Sequence, residues 1–95
     1  MLKELHGEQV RTEADFHAAI AALLNLPGHY GANLDALWDV LSADVERPIT
    51  LVWRSSDVSR AAMGERFELI LDVLRRVERQ DTEWGLTERF VVHLP

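Results

Sequence analysis

The 95-residue chain contains no cysteine. That absence excludes a disulfide framework and a thiolate metal site, so the fold must hold by packing alone. No apolar run approaches the roughly 20 residues that span a bilayer. The opening residues Met1–Gly7 lack the apolar stretch of a secretory leader, and the expectation is a soluble, cytoplasmic protein. With only three prolines and five glycines there is no low-complexity tract or interdomain linker, and no internal repeat is visible. Basic residues are also scarce: 10 Lys and Arg stand against 16 Asp and Glu, a net charge of -6. Nucleic acid and anionic membranes want the opposite sign, so neither is an expected partner, whereas a basic partner is favoured. What is present, 47% hydrophobic and 27% charged residues, is ordinary for a folded globular chain and argues against disorder. The length points to one domain over residues 1–95.

Leu2–His6 alternates weakly and ends at Gly7, as a short first strand does. Thr12-Glu13-Ala14-Asp15 resembles a capping box with Asp in the Glu place. It opens an amphipathic helix with Phe16, Ile20, Leu23 and Leu24 on one face, which Leu26-Pro27-Gly28 stops. Asn33 is a good N-cap for a second helix, with Leu34, Leu37, Trp38, Leu41 and Val45 at helical spacing. Ile49–Trp53 is a β-branched and aromatic run, too short for a helix, and reads as a buried central strand. Ser55-Ser56-Asp57 offers N-cap chemistry for a short helix ending near Gly64. Glu65 to about Gln80 is amphipathic, Asp81–Thr87 reads as a polar loop, and Arg89–Leu94 as a last strand. Strands separated by helical crossovers run parallel. The expected fold is therefore α/β: a small three-stranded parallel sheet packed by about four helices.

The second helix carries the chemistry. Asp35 and Asp39 stand four apart on it, with no basic residue at the spacings that would pair them. Like charges so placed cost a few tenths of a kcal/mol. On a helical wheel Asp35, Asp39, Ser42 and Glu46 form a narrow ridge beside the leucine face, with Trp38 at the border and Asp44 off it. A solvated charged face is the plain alternative. The loop His29-Tyr30-Gly31 beside the ridge favours binding, because aromatics next to uncompensated charge are the composition of interaction hot spots. Tyr30 itself reads equally as a half-buried loop anchor or as a direct contact. Two carboxylates could also serve a hydrolase, but a convex helix face offers no enclosing cleft, so no catalytic residue is assigned. The four histidines, His6, His17, His29 and His93, are scattered and are expected on the surface or in loops; no metal or cofactor is expected. Trp53 and Trp84 are expected as core and loop packing, and Arg75, Arg76 and Arg79 with Asp72, Glu78 and Asp81 as a solvated mixed face.

At these residues the chain resembles the barstar family of ribonuclease inhibitors. The likeness rests on Gly7-Glu8-Gln9-Val10-Arg11, Leu26-Pro27, Tyr30-Gly31, Asn33-Leu34-Asp35-Ala36-Leu37-Trp38-Asp39, Pro48, Leu51 and Trp53-Arg54, and more loosely on Glu68–Arg75. The resemblance implies three parallel strands with helices, and possession of a second helix that plugs the active site of a barnase-type ribonuclease. It implies that Asp39 takes the place of a substrate phosphate among cationic enzyme groups and that Asp35 meets a second arginine. Asn33, Leu34, Gly31, Tyr30, His29, Trp38, Ser42 and Glu46 complete the expected contact face. A secreted or toxin-type basic ribonuclease is the partner so implied, bound by a chain that is monomeric when free. The resemblance also raises a cis Arg47–Pro48 bond. His29, Val40, Ala43, Asp44 and Arg76 depart from the family pattern, which has tyrosine, cysteine, glycine, tryptophan and glutamate there. The alternative is an interaction module that uses the same face on a basic protein that is not a ribonuclease.

Overall fold

Alternation along three short segments, the second and third of them β-branched, sets the architecture. The computed structural model describes residues 1–95, with β1 (Leu2–His6), β2 (Ile49–Arg54) and β3 (Phe90–His93) in one sheet. The order is β1-β2-β3, both pairings are parallel, and Leu5 lies beside Trp53 as Leu51 lies beside Val92. The helices are α1 (Glu13–Leu24), α2 (Leu34–Asp39), α3 (Ser56–Met63) and α4 (Glu65–Glu83). The expected α/β fold, with three parallel strands and four helices, is therefore what the chain adopts.

Period-two alternation assigns the two sides of the sheet. Leu5, Ile49, Leu51, Trp53, Phe90 and Val92 point into one apolar cluster with Phe16, Ile20, Leu37, Phe67, Ile70 and Leu74 from the helices. Trp53 is fully buried, stacked on Phe16 at 5.3 Å and tilted against Phe67 at 4.9 Å between centroids. The opposite positions include exposed Leu2, Val91 and His93, and an ion pair between Glu4 and Arg54 across neighbouring strands. The central strand is buried as expected, but helices do not cover both faces of the sheet.

The Trp53 indole N–H donates to Ser59 Oγ (3.1 Å), which donates to Gly7 O (3.3 Å). This chain of bonds ties β2 to α3 and to the single 3₁₀ turn Gly7–Gln9. Gly7 is required there: a Cβ would lie 1.9 Å from Ser55 O. Ser55 does not cap α3 through its side chain as the sequence suggests; it enters the helix in the left-handed region, φ 52°. At α1 the Thr12 hydroxyl accepts from Asp15 N–H (3.0 Å), and Asp15 accepts in turn from Arg11 N–H (3.1 Å). Asn25, also left-handed at φ 52°, closes α1 ahead of Pro27 and Gly28.

The C-terminal end of α4 corrects the sequence expectation most sharply. Asp81 is helical and 1% exposed, not part of a polar loop or a solvated face. Its carboxylate accepts from Arg47 Nε (2.9 Å) and Nη2 (3.1 Å) and from Phe90 N–H (2.7 Å). Arg47 also donates to Val45 O at 2.7 Å. The Arg47–Pro48 peptide is cis. Trp84, just beyond the helix, is 66% exposed and does not pack into the loop as anticipated.

Burial pushes the Asp81 carboxyl up, but the Arg47 hydrogen bonds, the Phe90 N–H and the charges of Arg47 and Arg89 outweigh it and hold the group below the ordinary carboxylate range. A carboxyl lowered in the folded state contributes stability that is complete above its unfolded value, about 4, and is lost as pH falls through the folded one. Asp81→Ala should cost about 3–5 kcal/mol in denaturant unfolding, because Arg47 and Phe90 N–H then lose a buried acceptor. Asp81→Asn should flatten the acid limb of the stability–pH profile relative to the parent chain.

Candidate functional site

The segment from Asn25 to Glu46 is built by anchors at its ends and an apolar inner side. Tyr30 N–H closes a turn onto Pro27 O at 2.9 Å. Gly31 approaches α2 so closely that a Cβ would stand 3.2 Å from Ala36 Cβ. Ala32 follows at φ 52°, a left-handed conformation that costs a non-glycine residue about 1–2 kcal/mol. Asn33 then caps α2 as its residue type predicts, its Oδ1 accepting from Ala36 N–H at 2.8 Å. Leu37, Val40 and Leu41 are buried and hold the segment in the core. Asp35 occupies the first turn, where the helix dipole favours it.

The second helix is not one continuous α-helix. It passes at Val40 into a π-helical turn, Val40–Asp44, closed by Val45 N–H to Val40 O at 3.1 Å. A wider turn places residues five apart on one side. The single-phase ridge of the helical wheel is therefore broken. Val45 leaves in extended conformation and Glu46 lies beyond the helix. Ser42 borders a groove with Ala43, Arg47, Asp81 and Trp84, while Glu46 borders another with Met1, Lys3 and Leu23. Asp44, which the wheel left off the ridge, instead joins Asp39, His29, Tyr30, Gly31 and Ala36 around a shallow concavity of about 180 Å³.

From Thr12 to Glu46 the chain carries six acidic residues and no Lys or Arg. Asp15 is used in capping, and Glu13 pairs with His17 and Arg66. Asp35, Asp39, Asp44 and Glu46 are exposed and take part in none of the seven ion pairs of the molecule. Trp38 is partly buried and does not form a free aromatic edge. Arg76 from α4 lies over its ring, 5.1 Å from the centroid, and pairs with Asp72 at 3.3 Å. The cation next to the acidic surface is thus engaged elsewhere.

His17 is the functional-loop contact that sequence reasoning missed. It is 3% exposed, not a surface histidine. Its Nδ1 is 2.6 Å from Tyr30 Oη and its Nε2 is 2.9 Å from Glu13 Oε2. An ionised carboxylate only accepts, so Nε2 carries the hydrogen, and in the neutral ring Nδ1 accepts from the tyrosine hydroxyl. The hydrogen bond from His17 leads in holding Glu13 below the ordinary carboxylate range; burial opposes it and Arg66 adds to it. Tyr30 is half-buried and anchored, the first of the two roles its sequence context allowed. His6, His29 and His93 are exposed as expected, and no group of three or more His, Asp and Glu side chains is placed to hold a metal ion.

Burial, and secondarily the Glu13 charge, push the Tyr30 hydroxyl up to about 12. Because the unfolded value is about 10, the folded state holds its proton longer, and stability falls as pH rises from about 10 through the folded value. Tyr30 is the only tyrosine, so ultraviolet titration of tyrosinate should give a single native step near this raised value, returning to the ordinary one in denaturant.

Residues 1–93 match the barstar family, described as Barstar (barnase inhibitor). Over 64 residues the chain is 34% identical to "Putative ribonuclease inhibitor YrdF" of Bacillus subtilis (strain 168), an alignment covering 67% of this chain and 70% of that protein. No helix is long and apolar enough to cross a membrane. With nearly its whole length matched and the three-stranded parallel fold in place, the chain belongs to the barstar family.

Proposed function

We propose that this chain is a protein inhibitor, not an enzyme, that binds a basic barnase-type ribonuclease, secreted or toxin-like, and closes its active site with loop 29–33, α2 and the π-helical turn. One observation carries this reading: exposed carboxylates without a cationic partner stand on a segment whose other side is locked into the core. A cleft that binds RNA phosphates presents cations, and a fixed carboxylate accepts the same charge-assisted hydrogen bonds that a phosphate does. Pre-organisation spares the ordering cost of binding. Asp39 serves as the phosphate mimic and Asp35 meets a second cation. Asn33, Leu34 and Gly31 shape the approach, His29, Tyr30 and Trp38 frame it, and Ser42 and Glu46 lie at its rim. Asp44, beside Asp39 on the π-helical turn, calls for a further cation on the partner. The inhibitor acts as a monomer in the cytoplasm.

Inhibition titrations of barnase-type ribonucleases with the purified chain test this. The wild-type chain should inhibit at least one member of a panel stoichiometrically, and Asp39→Ala should weaken it at least about thirtyfold, the factor for a hot-spot loss of about 2 kcal/mol. Binding to a basic protein with every ribonuclease left active would instead identify an interaction module. Association should also slow steeply as screening shortens from about 30 Å at ~10 mM salt to about 8 Å at ~150 mM. A flat salt response would remove steering from the mechanism.

A further inference from the structure

Four side chains from three separate segments form a continuous line from α4 through α1 to the loop before α2. Arg66 Nε donates to Glu13 Oε1 at 2.8 Å, the other Glu13 oxygen meets His17 Nε2 at 2.9 Å, and His17 Nδ1 meets Tyr30 Oη at 2.6 Å. The His17 ring is buried edge-on against Phe16, 5.5 Å between centroids, and a partner at each nitrogen holds its orientation. Its two nitrogens are thereby aimed in fixed directions. The loop it reaches needs holding. Two residues beyond Tyr30, Ala32 sits in the left-handed region, and such strain persists only where the surroundings over-determine the backbone. Asn33 fixes one side of Ala32 by capping α2, and the Tyr30 hydroxyl bond fixes the other.

We propose that Arg66, Glu13 and His17 are positioning residues that set loop 28–32 in advance in its partner-binding conformation, through the hydroxyl of Tyr30. This rests on the proposed use of that loop in binding. None of the three lies on the acidic face, so they act through Tyr30. The carboxylate fixes the ring tautomer, the ring fixes the hydroxyl, and the hydroxyl fixes the strained loop. A loop so set binds at its intrinsic affinity, whereas a loop populating several conformations has its affinity reduced by the competent fraction.

Native-state hydrogen exchange of the free protein, with no partner, tests the positioning directly. In His17→Phe and in Glu13→Ala the Tyr30 amide, bonded to Pro27 O, should exchange about three- to tenfold faster. The Leu37 amide in α2, bonded to Asn33 O, should be unchanged. Glu13→Gln keeps an acceptor for His17 Nε2 and should restore the protection that Glu13→Ala loses. Against a ribonuclease that the wild-type chain inhibits, His17→Phe and Glu13→Ala should raise Kd about two- to tenfold. In the free protein, adding Tyr30→Phe to His17→Phe should accelerate exchange of the residue-30 amide no further, because both remove the same bond. Unchanged exchange at Tyr30, equal acceleration at Tyr30 and Leu37, failure of Glu13→Gln to rescue, or an unchanged Kd with a loosened loop would each overturn the proposal. Failure of the wild-type chain to inhibit any ribonuclease would overturn the inhibitor reading instead, and the exchange result would still decide whether the relay sets the loop.

Discussion

Arg47 and Asp81 meet where four segments converge: the end of the π-helical turn, the start of β2, the last turn of α4 and the start of β3. The guanidinium takes two carboxylate oxygens and the carbonyl of Val45, and the carboxylate takes the first N–H of β3. A buried pair of this kind adds little net stability against a well-packed apolar substitute, because desolvating both ions offsets their attraction. Its value lies in direction. An apolar contact has no direction, whereas Arg47 donates to Val45 O with one nitrogen while its other two hold Asp81. Asn33 fixes the opposite end of the same segment by capping. Between the two, Leu37, Val40 and Leu41 supply the burial that keeps the segment down.

Anchors at both ends let the molecule tolerate its least favourable region. The stretch from Thr12 to Glu46 accumulates negative charge without a Lys or Arg of its own, and it contains a left-handed alanine. Neighbouring like charges and backbone strain each lower stability, and proteins keep such features where function needs them. The fold offsets the cost from outside the segment, through Arg47, Arg66 and Arg76. Arg47 and Arg66 are committed to carboxylates away from Asp35 and Asp39, and Arg76, over the Trp38 ring beside them, pairs with Asp72. The cations thus steady the scaffold without neutralising the proposed inhibitory face.

Much of this was legible in the sequence. The β-branched run at Ile49, the alternation around Phe90 and the capping types Thr12 and Asn33 act locally, and local signals gave the strands, the helices and their order. Interactions that the linear pattern does not encode escaped. Leu34, Leu37, Trp38, Leu41 and Val45 fit an α-helical stripe, and no residue type announces a π-helical turn, so a helical wheel leaves Asp44 apart from Asp39, whereas the fold brings both to one concavity. Asp81 looked like loop chemistry because the arginine that neutralises it comes 34 positions earlier. His17 stands at a spacing from Glu13 that a helix makes adjacent, but burial by Tyr30 comes from beyond the helix. Asp39 and the loop His29-Tyr30-Gly31 stand close enough in the chain to be singled out together, whereas the approach of Asp44 to them depends on tertiary geometry.

The sheet pairings carry a consequence for the birth of the molecule. Leu2 lies beside Thr50 and Ile49 beside Phe90, so neither neighbouring strand is within reach of a hairpin. The bond that steadies the end of the acidic segment waits for Asp81, and Asp81 in turn engages β3. During synthesis from the N-terminus, the acidic residues leave the ribosome well before the strand and the ion pair that give them a fixed arrangement. Long-range pairing of this kind delays folding until the distant partner exists. The nascent chain therefore carries its charge early and its shape last.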